Sequence, residues 1–158
     1  MKLIIMRHAK AEDIHPDGDH ARRLTKKGHA QAERQARRLA GLDLLPGIIL
    51  SSPLVRSRET AETFAQAADI PGPMIVNWLA CGMRPGTAAE ELAAYKEFGC
   101  VCIVGHEPDL SSLVSWLIGS TSYSVVMKKA SMAVLDVDPP SSNAILQILL
   151  PPQEGLSD

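Results

Sequence analysis

Short β-branched runs alternate with segments of helical period along most of this chain, and that alternation constrains its fold more than any other feature. Lys2–Met6, Gly47–Leu50, Met74–Val76 and Val101–Val104 are apolar and bounded by turn residues, as buried parallel strands are. Between them, Ala32, Ala36, Leu39 and Ala40 mark one amphipathic stripe, and Ala61, Phe64, Ala65 and Ala68 mark another. Leu110, Leu113, Val114 and Leu117 mark a third, at the i, i+3, i+4, i+7 spacing of a helix with one buried face. Thr25 is expected to cap the first helix. Thr87 with Glu90 forms a capping-box pattern before Leu92 and Tyr95, and Asp109 is expected to cap the helix that holds Leu110. Beyond these, Met132–Val137 and Ala144–Leu149 flank an Asp-Pro-Pro-Ser-Ser-Asn turn and read as an antiparallel pair. The order predicts a three-layer α/β/α sandwich with a mostly parallel central sheet and a C-terminal antiparallel strand pair. At 158 residues and 46% apolar content, one domain over residues 1–158 is expected.

Charge narrows the function. The net formal charge is −2, which does not suit a nucleic-acid binder. Residues 1–40, however, hold ten Lys/Arg against five Asp/Glu, and four of the five histidines. This asymmetry suggests a locally positive site, with a solvated basic helix at 26–38 as the plainer reading. Cys81, Cys100 and Cys102 follow neither a metal-binding spacing nor a secreted disulfide pattern, and are read as reduced, mostly buried thiols. Cys100 and Cys102, two apart, share a strand face. The apolar run Leu3–Met6 is too short for a signal peptide or a membrane span, so a cytoplasmic protein without membrane attachment is expected.

In open α/β sheets, ligands bind beyond the carboxyl ends of the strands. There the first strand runs into Arg7-His8, the second ends in Ser51-Ser52-Pro53 with Arg56 following, and the fourth runs into Gly105-His106. Two arginines and two histidines thus converge on one edge. Arginine forks match phosphoryl oxygens, a neutral imidazole can act as nucleophile, and a second imidazole can donate to developing charge. Any one of these residues alone is more often structural; the joint pattern points to phosphoryl chemistry. Arg58 lies about 200° around the helix from Arg56 and is expected on the surface. Lys10, Arg22, Arg23, Lys128 and Lys129 fit either an acidic partner or a solvated face.

With Arg7-His8-Ala9 after a strand, Ser52-Pro53-Leu54-Val55-Arg56 with Thr60-Ala61, and Gly105-His106, the chain resembles the histidine phosphatase superfamily, which also contains the cofactor-dependent phosphoglycerate mutases. Met6-Arg7-His8-Ala9-Lys10-Ala11 and Asp19-x-x-Arg22-Arg23-Leu24-Thr25-x-x-Gly28 resemble its short SixA-like phosphohistidine phosphatases. The resemblance implies that His8 is transiently phosphorylated. It also implies that Arg7 and Arg56 grip the phosphoryl oxygens and that His106 completes the phosphate-binding pocket.

One departure stands out. Larger members place a Glu after the third strand to protonate the leaving oxygen, whereas here the region reads Asn77-Trp78-Leu79-Ala80-Cys81-Gly82. Glu12, Asp13 and Glu107 lie nearby in sequence, but none matches the acid position. His15 and His20 lack the partners of a metal site, so neither metal nor cofactor is expected. The leading reading is a phosphatase for a phosphohistidine-bearing protein such as a phosphotransfer or phosphocarrier domain. A phosphomonoesterase for small phosphorylated metabolites, and a non-catalytic phosphate-binding module, are the alternatives.

Overall fold

The computed structural model describes residues 1–121 and 123–153. Its six-stranded sheet comprises β1 (Lys2–Arg7), β2 (Ile48–Ser51), β3 (Met74–Ile75), β4 (Cys100–Gly105), β5 (Met132–Val137) and β6 (Ala144–Leu150), in the order β3-β2-β4-β1-β5-β6. β1 to β4 are mutually parallel; β5 runs antiparallel to β1, and β6 antiparallel to β5. The helices are α1 (Lys26–Gly41), α2 (Val55–Ala68), α3 (Pro85–Leu92) and α4 (Asp109–Leu117).

Because side chains alternate across a strand, β1 feeds two cores. Leu3 and Ile5 pack with Leu92 of α3 and with Leu110, Leu113 and Leu117 of α4. Ile4 and Met6 pack on the other face with Ala36 and Leu39 of α1 and Ala61, Phe64 and Ala65 of α2. The expected sandwich is the one observed. Cys102 is buried and Cys100 half-buried on the α1/α2 face, whereas Cys81 is exposed, contrary to the sequence reading.

Other local expectations needed correction: β3, expected as a buried strand over Met74–Val76, is an exposed edge strand of two residues. Ala40 is exposed, and the buried stripe of α1 instead includes Gln31 and Gln35. Each offers an amide to a backbone group the core would otherwise leave unpaired: Lys10 N–H donates to Gln31 Oε1 at 2.9 Å, and Gln35 Nε2 donates to the Ala130 carbonyl at 2.6 Å. Thr87 lies inside α3 rather than capping it, because Pro85 starts the helix two residues earlier. Asp109 does not cap α4; its carboxylate accepts from the Gly82 and Met83 N–H groups, at 2.8 and 3.2 Å. Glu107 serves the first turn of α4 instead, accepting from Ser111 N–H at 2.9 Å and from the Ser111 hydroxyl. Thr25 does cap α1, its Oγ1 accepting from Gly28 N–H at 3.1 Å.

Candidate active site

Strand register brings the predicted residues together. Arg7 pairs with Gly105 across the parallel β1–β4 ladder, so His8 and His106 leave the sheet side by side, with ring centroids 5.4 Å apart. Ser51 pairs with Val104 one strand further, which carries Ser52 and the start of α2 to the same edge. Thr60 fastens α2 to the end of β1: its Oγ1 accepts from Ala9 N–H at 3.0 Å and donates to the Arg56 carbonyl at 2.7 Å.

His8 is buried and held at both ends. Its backbone N–H donates to the Gly105 carbonyl at 3.0 Å, and its carbonyl accepts from Ala130 N–H at 3.1 Å. Its ring Nδ1 lies 2.9 Å from the Ala9 carbonyl. A carbonyl only accepts, so the ring proton sits on Nδ1 and the Nε2 lone pair is left for chemistry. Burial pulls the His8 pKa from 6.5 to about 3, against the Ala9 hydrogen bond, and the positive charges of Arg56 and Arg7 act in the same direction as burial. The imidazole is therefore neutral at physiological pH, as a nucleophile requires.

His106 offers the pocket its other ring nitrogen. Its Nε2 lies 2.7 Å from Ser52 Oγ and 3.4 Å from Ser57 Oγ. Ser52 Oγ accepts from Leu54 N–H at 3.2 Å and has its own hydrogen to give to Nε2; in that arrangement the ring proton is on Nδ1. That Nδ1 is buried without a partner among the described residues, as is Nε of Arg56. Two unfilled donors in a buried pocket fit an incoming anion. Burial, with help from Arg56, lowers His106 to about pKa 4, so it enters as a neutral donor.

The arginines supply the charge. Arg7 Nη1 donates to the Met127 carbonyl at 3.0 Å. The Arg56 side chain is 7% exposed, with Nη1 donating to the Asp19 carbonyl at 2.9 Å and Nη2 to Asp19 Oδ2 at 3.2 Å. Arg58 lies on the surface beside Glu62, 3.6 Å away. Sequence reasoning left Ser52, Ser57 and Asp19 without a role, although Ser52 and Asp19 stand within the quoted motifs. Among the described residues, no group of three His, Cys, Asp or Glu is arranged to hold a metal ion, and no helix is long and apolar enough to cross a membrane.

Comparison with known proteins bears on the family and the fold. Residues 3–77 match the family model of the histidine phosphatase superfamily (branch 1). An uncharacterized protein of Picosynechococcus sp. is 35% identical over 138 residues, 84% of this chain and 82% of that protein. Among solved structures, the protein histidine phosphatase SixA complexed with tungstate superposes with a TM-score of 0.87 at 25% identity, covering 98% of this chain and 99% of that one. A candidate phosphohistidine phosphatase SixA from Agrobacterium tumefaciens gives 0.81 at 29% identity, covering 96% and 98%. The alpha-ribazole phosphatase from Shigella flexneri shares the fold at 0.74 and 20% identity, covering 95% and 96%.

Proposed function

The chain belongs to the histidine phosphatase superfamily, and on that premise we propose that it removes phosphoryl groups from protein histidines. His8 Nε2 attacks phosphorus and the substrate imidazole departs; water then hydrolyses the phosphohistidine at His8. Arg7, Arg56 and the Nδ1–H of His106 hold the phosphoryl oxygens through both steps. Their charge takes the part that Mg²⁺ plays in many phosphoryl-transfer sites, so the reaction needs no metal.

One observation favours a nitrogen leaving group: of the three carboxylates nearest the site in sequence, Glu107 and Glu12 are committed elsewhere and Asp13 is exposed to solvent. Glu107 is bound to Ser111, and Glu12 accepts from Arg23 N–H at 2.9 Å. An alkyl ester must expel an alkoxide, and a missing general acid costs roughly 10²–10⁴ in rate. A phosphohistidine whose other ring nitrogen is protonated releases neutral imidazole and needs no such donor. Three of the most exposed large apolar side chains, Tyr123, Ile14 and Val126, also lie on the loops beside His106 and Asp19, as a protein substrate would favour.

The test is a substrate panel in EDTA: a phosphohistidine-bearing carrier protein, an aryl phosphate and an alkyl phosphate. A steep fall in kcat/KM along that series is expected. Equal turnover of the alkyl phosphate would favour the phosphomonoesterase reading instead, and no turnover at all would favour the phosphate-binding module.

A further inference from the structure

The loop between β1 and α1 delivers a carboxylate to the phosphoryl grip. Gly18, at φ 105°, turns the chain into a 3-10 turn, Asp19–Ala21, that sits against α2. A side chain at Gly18 would be strained at that φ and would crowd the His20 ring, so the turn depends on glycine. Asp19 thereby spans the wall of the site. Inward, Oδ2 and the carbonyl accept from buried Arg56; outward, Oδ1 accepts from Arg22 Nη1 at 2.9 Å. Arg22 is itself braced by the Glu12 carbonyl, which accepts from its Nε at 2.5 Å. The Arg56 side chain is 7% exposed and that of Asp19 65%, so the carboxylate stands at the outer lip of a pocket whose inner wall is His8 and His106. The hydrogen bond from Arg22, followed by Arg56, holds the Asp19 carboxyl below the usual carboxylate range, so it is an anion and not a proton donor.

We propose that Asp19 is the specificity-determining residue for the leaving group, selecting phosphoryl donors that present a protonated nitrogen ring at the lip. The proposal rests on the phosphohistidine reading and names how the site would enforce it. A phosphoryl seated on Arg56 and His106 with His8 behind it can point its leaving group only outward, toward Asp19. In a phosphoimidazole protonated on its second nitrogen, that N–H donates to the Asp19 carboxylate. As the His8 Nε2–P bond forms, the P–N bond breaks and its electron pair returns to the departing nitrogen. The proton stays on the second nitrogen, and the imidazole leaves neutral. An ester oxygen in the same position gathers negative charge against a carboxylate and is disfavoured. Arg22 shares the Asp19 charge and tempers the effect.

The experiment compares kcat/KM for N-phosphoimidazole and p-nitrophenyl phosphate in the wild type, Asp19→Asn and Arg22→Gln. In Asp19→Asn the ratio of nitrogen to oxygen substrate is expected to fall by about 10- to 100-fold, the worth of one charge-assisted hydrogen bond. Turnover of p-nitrophenyl phosphate should rise as the ratio falls. Arg22→Gln should move the ratio the opposite way, which keeps the proposal testable if Asp19→Asn does not fold. The alkaline limb of kcat on N-phosphoimidazole should also shift to lower pH in Asp19→Asn, because nothing then holds the ring proton. If both substrates decline by one factor in Asp19→Asn, Asp19 only positions Arg56 and the selection role is overturned. A wild type that ignores N-phosphoimidazole and phosphohistidine protein would overturn the proposed function, and this inference with it.

Discussion

His8 and His106 are held by strand ends and buried hydroxyls, whereas Asp19 and Cys81 are carried by loops. The floor of the site is fixed by register: once β1 pairs with β4 in parallel, the two imidazoles must be neighbours, and Thr60 and Ser52 lock α2 against them. The rim is held by side chains meeting across long stretches of sequence, such as Arg56 on Asp19 and Asp109 on the Gly82 and Met83 backbone. On the proposed function, the division gives reactivity to the floor and choice of substrate to the rim. Substitutions in the floor should therefore remove activity toward every substrate, while those in the rim should change the ratio between substrates.

The sharpest break of that contrast is His8→Ala. Turnover of all phosphorylated substrates is expected to vanish, because the next imidazole, that of His106, presents Nδ1–H rather than a lone pair to the pocket. Acid-labile, alkali-stable phosphate trapped on wild-type His8 would establish the intermediate. Residual activity near the wild-type level in His8→Ala would remove the floor's claim to the chemistry. Arg56→Ala comes next. By comparison with a lost oxyanion donor, a fall of about 10²–10³ in kcat is expected. A loss is expected for nitrogen and oxygen substrates alike in direction, whereas at Asp19 the two are expected to move apart.

The same division explains what could be read in the sequence. Buried parallel strands are apolar on both faces, so Lys2–Met6 and Val101–Val104 announced themselves. The residues just past their ends were then placed on one edge by topology alone. The placement of Arg58 also followed, since helix geometry turns it away from Arg56. Polar partnerships were not legible. Asp109 after a proline reads as a cap, yet its carboxylate bonds to a backbone 26 residues earlier, and Glu107 takes the helix start. Gln31 and Gln35 broke the expected apolar stripe because the loops they serve have backbone groups to satisfy. Cys81 reads as a small apolar residue, but it sits on the exposed loop that Asp109 pins. The Asp19–Arg56 contact joins residues 37 apart through a turn that only Gly18 permits, and no local pattern signals it.

Burial of the floor has a cost in acid. An imidazole at pKa about 3 or about 4 in the folded protein and about 6.5 when unfolded binds fewer protons folded than unfolded between those values. Stability is therefore fully present above pH 6.5 and is lost as pH falls toward 4, by on the order of 2 kcal/mol per imidazole between pH 7 and pH 5. Urea midpoints across that range should show the drop. Saturating phosphate, which engages the floor, should add stability by binding only the folded state. His106→Asn should shallow the pH dependence by about half, whereas a slope unchanged by that substitution would mean the pocket is wetter than its burial implies.

The smallest expected effect belongs to Arg58, two residues from Arg56 on the same helix. Its side chain is 45% exposed and its Nε lies 3.6 Å from Glu62 across one helical turn, an arrangement worth a few tenths of a kcal/mol in water. Arg58→Ala should thus leave kcat/KM for every substrate within about twofold and stability within about 0.5 kcal/mol. Because Arg56→Ala removes the same charge from the same helix, the pair separates a local grip from a general field: Coulomb attraction acting through solvent would weaken both variants alike. A loss in Arg58→Ala approaching that in Arg56→Ala would show that the phosphoryl group is drawn by the summed charge of α2, and the boundary between floor and rim would have to move outward to include it.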